Sequence, residues 1–278
     1  MIPDFIDPQL AHSVPVGADL ASYAGTHVLQ QKKNGVRLIV CVETCVGLQG
    51  WSRPQTAARG GKQPPNPRDL SPALRAALMN LPTGVYDAEL VTPKRAAARP
   101  GEVLQHDLAH VYLFDVLEIL GEDITGVSYG DRLKLLGAAA AHIDSPFVSV
   151  LPVVTPSQAT VQAWWDAGEE GGMLKRLDAR YSPGRRSQAW LKVKKFKWDV
   201  LRIDGFRAGS TGPYARLALS ATDGRKTTVK AHASKMPGRP EDYIGRLVQI
   251  EFTDWTDDRR WLDPRLDHVL AVQAEAAS

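Results

Sequence analysis

The texture of the chain changes at Trp198, and this break constrains the fold more than any other feature. Before it, strand-like and helix-like stretches alternate in an α+β pattern; after it come only short strand-like runs separated by turn residues. At 278 residues the chain is long enough for two moderate domains, each burying its own core, and the break divides it into 1–198 and 199–278. In the first part strands are expected over Val36–Glu43, Gly84–Leu90, Ala109–Leu117, Phe147–Pro152, Gly172–Arg176 and Trp190–Lys195. Helices are expected over Ala73–Met79, Arg132–Ala141 and Ala159–Ala167, with start signals at Ser71-Pro72, Asp131 and Ser157. Arg53–Pro67, rich in Gly, Pro, Arg and Gln, reads as a surface loop. The second part offers strands over Val200–Arg207, Arg216–Thr222, Thr227–Ala231, Arg246–Phe252 and His268–Gln273, with Asp223-Gly224 as a hairpin turn. Five short strands suit a small oligonucleotide-binding (OB) barrel, and their count alone also suits an SH3-like barrel.

With 44% hydrophobic and 23% charged residues, the composition is that of a soluble globular protein. No apolar run approaches a membrane span, so no membrane partner is expected. The opening Met1-Ile2-Pro3-Asp4-Phe5 lacks the n- and h-regions of a secretory signal, and a cytoplasmic location is expected. Cys41 and Cys45 are read as two buried thiols on one face of a single strand, too few for a zinc site. The net charge of +3 is small, but Lys192, Lys194, Lys195 and Lys197 crowd together after Arg176, Arg180, Arg185 and Arg186. Such a local cationic region attracts phosphates.

Within this frame, Lys32 sits just ahead of an Asn34-Gly35 turn and Arg37 just after it. A lysine beside a phosphate pocket can carry a nucleotide covalently, provided that its neighbours disfavour its charge. In a strand, Lys192 and Lys194 aim both ammonium groups to one side while Leu191 and Val193 face the other, so the two lysines could bind an α-phosphate and lower the pKa of Lys32. Asp87 and Glu89 share a strand face, where they could accept from a ribose hydroxyl or bind a divalent ion. Glu170 is a second such acid, followed by glycines that permit close backbone approach and by Lys175. Phe114 offers a ring on which a purine could stack, or is simply core.

The series Lys32-x-Asn34-Gly35-x-Arg37, Asp87-Ala88-Glu89-Leu90, Phe114-Asp115, Glu170-Gly171-x-x-x-Lys175 and Lys192-x-Lys194 resembles the nucleotidyltransferase motifs of ATP-dependent DNA ligases in order and spacing. The likeness is greatest to compact bacterial and phage ligases and to the ligase domain of bacterial end-joining proteins. It is carried further by Tyr181-Ser182-Pro183-Gly184-Arg185-Arg186 and by Glu251-Phe252-Thr253-Asp254-Trp255-Thr256. The resemblance implies an adenylation domain with antiparallel sheets followed by an OB-fold domain. It implies that Lys32 takes AMP from ATP, passes it to the 5′-phosphate of nicked double-stranded DNA, and that the 3′-hydroxyl then releases AMP. Magnesium, or manganese in its place, would assist. Arg37 and Arg53 would contact nucleotide or nick phosphate, Glu89 would hold ribose and Phe114 would stack on adenine. Gln30 would lie near the adenine; Lys175, Lys192 and Lys194 would bind phosphates; Glu89 and Glu170 would serve the metal.

The sequence departs from that pattern at three places. Asn34 stands where the family has aspartate, Gln30 where it has glutamate, and Arg265-Leu266-Asp267-His268 is the only candidate for a last motif of the form Arg-x-Asp-Lys. Slow self-adenylylation is the expected consequence. The resemblance leaves RNA joining, GTP-dependent capping chemistry, or a catalytically silent nucleic-acid binder as alternatives. A monomer lacking a DNA-encircling domain is expected, with a grip on DNA that weakens steeply with salt.

Overall fold

The computed structural model describes residues 3–15, 18–53, 65–91, 109–195, 197–208, 214–232, 235–236, 239–252, 254–256, 258–262 and 264–270. The chain divides into two compact units, residues 1–194 and 195–278. In the first unit the strands and helices run β1 (Leu10–Ser13), β2 (His27–Gln31), β3 (Val36–Glu43), β4 (Gly47–Ser52), β5 (Asn66–Arg68), α1 (Pro72–Leu78), β6 (Gly84–Val91) and β7 (His110–Ile119). They continue with β8 (Glu122–Asp123), α2 (Tyr129–Ala139), β9 (Val148–Val150), β10 (Val153–Val154), α3 (Gln158–Asp166), β11 (Gly171–Arg176) and β12 (Arg186–Lys194).

These strands build two sheets. One has the order β1-β12-β11-β2-β10; the other runs β5-β4-β3-β6-β7-β8, with β9 joining β7 in parallel. Pairing is otherwise antiparallel except between β1 and β12. Strand β3 shows why the sheets stack. Its even residues Leu38, Val40 and Val42 pack with Leu74 and Leu78 of α1 and Leu136 of α2, while its odd residues Ile39 and Cys41 join a core shared with Trp190 and Met173 of the other sheet. A strand buried on both faces loses polar alternation, and this run is apolar throughout. On the far side of the second sheet, Leu191 and Val193 pack with Leu29, Leu174 and Val161 of α3. The face-switching foreseen for Trp190–Lys194 is therefore present: Trp190 points to the inter-sheet core and Leu191 away from it.

Several expected elements shift. Ser128, rather than Asp131, caps α2: its hydroxyl accepts from the Asp131 N–H and donates to the Asp131 carboxylate at 2.7 Å, closing a reciprocal cap. Of Phe147–Pro152 only Val148–Val150 is strand, as β9; β10 follows at Val153–Val154 in the other sheet, and Leu151 between them donates its N–H to the Leu113 carbonyl on β7. Cys45 is not on the strand of Cys41; it lies in the β3–β4 turn at φ 65°, exposed, whereas Cys41 is buried. Asn66 and Pro67 belong to β5 instead of a loop; most of the remaining loop, 54–64, lies outside the described residues. Strands β1, β2 and β4 carry too little alternation to be foreseen.

The second unit contains β13 (Lys197–Ala208), β14 (Tyr214–Ser220), β15 (Lys226–His232), β16 (Leu247–Phe252), β17 (Asp254–Trp255), β18 (Trp261–Leu262) and β19 (Arg265–Val269). Five of these form one antiparallel sheet in the order β15-β14-β13-β16-β19. Edge strands β15 and β19 approach each other around a core that includes Leu201, Ile203, Leu217, Val248 and Phe252. The Asp223-Gly224 hairpin joins β14 to β15, with Gly224 at φ +83°, a left-handed conformation that glycine adopts without steric cost. Among the described residues, no helix is long and apolar enough to cross a membrane.

Candidate active site

Lys32 follows directly on β2, and its backbone N–H donates to the Gly171 carbonyl at 2.8 Å. That contact tethers the start of the Lys32 turn to the start of β11. A Cβ at Gly171, which sits at φ +135°, would collide with the Val193 carbonyl, so glycine lets the β11 start press against β12. The neighbouring Glu170 is thereby brought between two lysines. Its Oε2 accepts from Lys32 Nζ at 2.5 Å and its Oε1 pairs with Lys194 Nζ at 2.7 Å. Burial alone would raise the Glu170 pKa, but the charges of Lys32 and Lys194 outweigh it and hold the carboxyl below its usual range. Cations were expected beside Lys32; the structure interposes a carboxylate.

Arg37 and Glu89 meet across β3 and β6. Glu89 Oε1 accepts the Gly35 N–H at 3.1 Å, fixing the turn after Lys32, and a Cβ at Gly35 would clash with the Leu90 carbonyl. Burial pushes the Glu89 carboxyl up to about 7; Arg37 and Lys32 pull it down while Glu170 and Asp87 push it further up. Arg37 grips the fully buried Asp87 with two hydrogen bonds of 2.5 Å, an arrangement only a planar guanidinium can make. Desolvation acts to lower the Arg37 pKa, yet Asp87 leaves it raised. Asp87 also accepts from Tyr181 Oη at 2.6 Å, and that hydroxyl in turn accepts the Gln9 N–H at 2.8 Å. The chain's early segment is thus hydrogen-bonded to the network that orients Arg37.

Deeper in, Phe114 on β7 meets Trp190 on β12 edge to face, with centroids 6.1 Å apart. Lys175 is only 2% exposed, with its ammonium 4.1 Å from both ring centroids and donating to the Phe114 carbonyl at 3.3 Å. Burial lowers its pKa to about 7, against the pull of Asp115 and Asp87. Gln30 is fully buried; its amide N donates to the Leu151 carbonyl at 2.9 Å and its oxygen accepts from Tyr129 Oη at 3.1 Å. Those partners fix which end of the amide is which. A glutamate there would set a carboxylate oxygen against the Leu151 carbonyl.

Gln30, Lys32, Lys33, Arg37, Glu89, Phe114, Lys175 and Trp190 line one cleft of about 110 Å³, partly open to solvent. Glu170 and Lys194 attach to it through Lys32. Lys192 lies two residues along β12 from Lys194, opposite Met173, and Arg53 is exposed just beyond β4; neither is among the described residues lining the cleft. Sequence reading assigned no role to Trp190, Tyr181 or Tyr129. Trp190 shares a strand face with Lys192 and Lys194, a signal that was available; Tyr181 stood in a stretch that carries the resemblance, and Tyr129 had no signal, because only tertiary packing brings it in. Glu89 and Glu170 are the carboxylates able to hold a cation, and Glu170 contributes to the rise of the Glu89 pKa, which marks them as neighbours. Among the described residues no group of three or more His, Cys, Asp or Glu is assembled for a metal. Two carboxylates nonetheless fit magnesium, which keeps waters and completes its shell with substrate phosphates.

Comparison with known proteins matches this architecture to one family. The family described as the ATP dependent DNA ligase domain matches residues 8–194. A DNA ligase of Cenarchaeum symbiosum is 30% identical over 171 residues, covering 56% of this chain and 28% of its own length. The multifunctional non-homologous end joining protein LigD of Mycobacterium bovis is 35% identical over 101 residues, 36% of this chain and 13% of that protein. The chain thus spans well under a third of the length of these relatives. Among solved structures, a Lig E DNA ligase shares the fold with a TM-score of 0.64 at 18% identity, over 96% of this chain and 100% of that one. The family match covers the strands and turns that carry Lys32, Arg37, Glu89, Phe114, Glu170 and Lys194, and the chain belongs to the ATP dependent DNA ligase domain family.

Proposed function

We propose that this chain is an ATP-dependent DNA ligase that seals nicks in duplex DNA through a lysyl-AMP intermediate. The observation that carries this reading is the Lys32 amine in a partly open cleft lined by Phe114, Trp190 and Arg37, hydrogen-bonded at 2.5 Å to a glutamate that also pairs with Lys194. An ammonium cannot attack phosphorus, so Lys32 must lose a proton, and Glu170 Oε2 is the acceptor already in place. While two lysines sit on Glu170 it is a poor base. An α-phosphate of ATP that draws Lys194, with Lys192 beside it on β12, removes one of those charges and makes the carboxylate more basic at the moment the amine needs it. The amine then forms an N–P bond, pyrophosphate leaves with the electrons of the broken P–O bond, and AMP remains on Lys32. A DNA 5′-phosphate next displaces the lysine, and a 3′-hydroxyl displaces AMP.

Arg37, held by Asp87, presents its guanidinium next to Phe114 at 4.7 Å from the ring centroid, where it would meet a phosphate or ribose of the bound nucleotide. Phe114, Trp190 and Gln30 would make the base end of the pocket, and Glu89 would hold the ribose. Lys175 would contact phosphate only if it leaves the aromatic pair; its position supports a role beneath the base. Arg53 would act on the nick phosphate. Magnesium, or manganese, held by Glu89 and Glu170 would neutralise phosphate charge and ease departure of the leaving group. For the second unit we adopt the OB-fold reading, supported by a five-stranded sheet whose first strand pairs with the second and fourth and whose third and fifth strands meet. A monomer acting where ATP and DNA meet, in the cytoplasm, completes the proposal.

The test is incubation with α-labelled ATP and magnesium, followed by addition of a nicked duplex. Label should attach to the protein, vanish in Lys32→Ala, and be chased by the nick as the strand is joined. Labelling by GTP and not ATP, or label that survives in Lys32→Ala, would overturn it.

A further inference from the structure

Four cations line the cleft among the described residues, and three of them are committed. Lys32 is on Glu170, Arg37 is on Asp87, and Lys175 is enclosed by Phe114 and Trp190. The fourth, Lys33, rests its ammonium on the face of Tyr112, 4.7 Å from the ring centroid. Tyr112 is the cross-strand partner of Glu89. Its ring is braced by His110, stacked at 4.2 Å and 28°, and His110 is fixed by a 2.8 Å hydrogen bond between Nε2 and Ser149 Oγ on β9. The ring is held in place, but the ammonium on it is not, because a partly exposed cation–π contact is weak. A phosphate oxygen, which offers a charge-assisted hydrogen bond, outcompetes an aromatic face for an ammonium.

Resting on the nucleotidyl-transfer reading above, we infer that Lys33 is a further working cation of this site, leaving Tyr112 to bind a phosphoryl oxygen of the substrate beside Glu89. Holding it on a ring instead of a carboxylate keeps it in the cleft at small cost and spares it the competition that Lys32 and Lys194 have with Glu170. The phosphoryl group belongs either to ATP or to the DNA end, since both pass through the same cleft, and the experiment separates the two.

Full-length wild type, Lys33→Ala and Lys33→Arg are compared in two arms: single-turnover AMP transfer from labelled ATP to the protein, and sealing of a nick already carrying 5′-AMP. Lys33→Ala should slow one arm by about tenfold or more, the loss expected for one charge-assisted hydrogen bond. A deficit in the first arm that shrinks as ATP rises identifies the nucleotide phosphate; a deficit in the second identifies the DNA. Lys33→Arg should recover most of the rate in the affected arm, because charge and donors are kept. Rates for Lys33→Ala within twofold of wild type in both arms, or Lys33→Arg as slow as Lys33→Ala, would overturn the inference. Absence of any AMP transfer in wild type would instead strike the ligase reading on which it stands.

Discussion

Two ion pairs in the first unit use the same chemistry to opposite ends. Arg132 and Asp115 form a bidentate pair of 2.8 and 2.9 Å in which neither side chain is exposed. Lys32 and Glu170 form a single bond of 2.5 Å, with 23% and 21% of their side chains exposed. Arg132 also donates from Nη1 to the Val127 and Ala179 carbonyls, so four of its five N–H groups are engaged and its posture is fixed. Glu170 is shared with Lys194, so each of its bonds has a rival. Burial raises the Asp115 pKa despite Arg132, whereas two lysines lower that of Glu170 despite burial. The buried pair is therefore held by geometry against its desolvation cost, and its loss leaves a charge stranded in the core. The cleft pair is held by charge in reach of solvent, and an incoming phosphate can take it apart.

Five substitutions sharpen this contrast. Lys32→Ala should abolish transfer of labelled AMP while leaving the thermal unfolding midpoint within a degree or two of wild type; a large drop in midpoint would mean that the cleft pair is structural after all. Asp115→Asn should do the reverse to stability, costing about 3–5 kcal/mol in denaturant unfolding because Arg132 loses its only buried anion among the described residues. A stable Asp115→Asn protein would erase the distinction. Glu170→Gln keeps the shape but neither accepts the amine's proton nor balances the lysines, and should slow AMP transfer by about 100-fold with little change in stability.

Lys175→Met tests burial of charge itself. The Lys175 pKa falls from 10.5 to about 7 on folding, so the unfolded chain binds more protons between those values and stability rises with pH across that window. Wild type should gain up to about 1.4 kcal/mol per pH unit relative to Lys175→Met between pH 7 and 10. Glu89 behaves oppositely: its pKa rises from 4.5 to about 7, so its contribution falls as pH climbs from 4.5 to 7. Identical pH profiles for wild type and Lys175→Met would show that the ammonium is better solvated than its surroundings imply. The smallest effect is reserved for Asn34→Asp. Asn34 is exposed in the turn after Lys32, and restoring the family's aspartate should speed AMP transfer by a few fold; no gain would remove the idea that Asn34 slows the first step.

Much of this was legible beforehand because it follows local rules. β3 was readable over its full length, with Leu38–Val42 an unbroken apolar run, and the Asp223-Gly224 turn as a hairpin, since periodicity and turn chemistry act over a few residues. The sharing of a face by Lys192 and Lys194 followed from the two-residue repeat of a strand. Strand β2, which carries Gln30 to the cleft, was not readable: its residues His27–Gln31 show no clean alternation. Cys45 was misplaced because an even spacing says nothing about where a strand stops, and here it stops at Glu43.

The sequence by itself determined the order of the chemical groups along the chain, the division into a mixed and an all-strand part, and the motif series that carries the resemblance to the ligase family. What only the tertiary structure decided is which charge faces which. Glu170 lies 138 residues from Lys32 and Asp87 lies 50 from Arg37, separations over which no local rule predicts contact. Electrostatic energy depends on distance and solvent exposure, and both are products of how the two sheets stack.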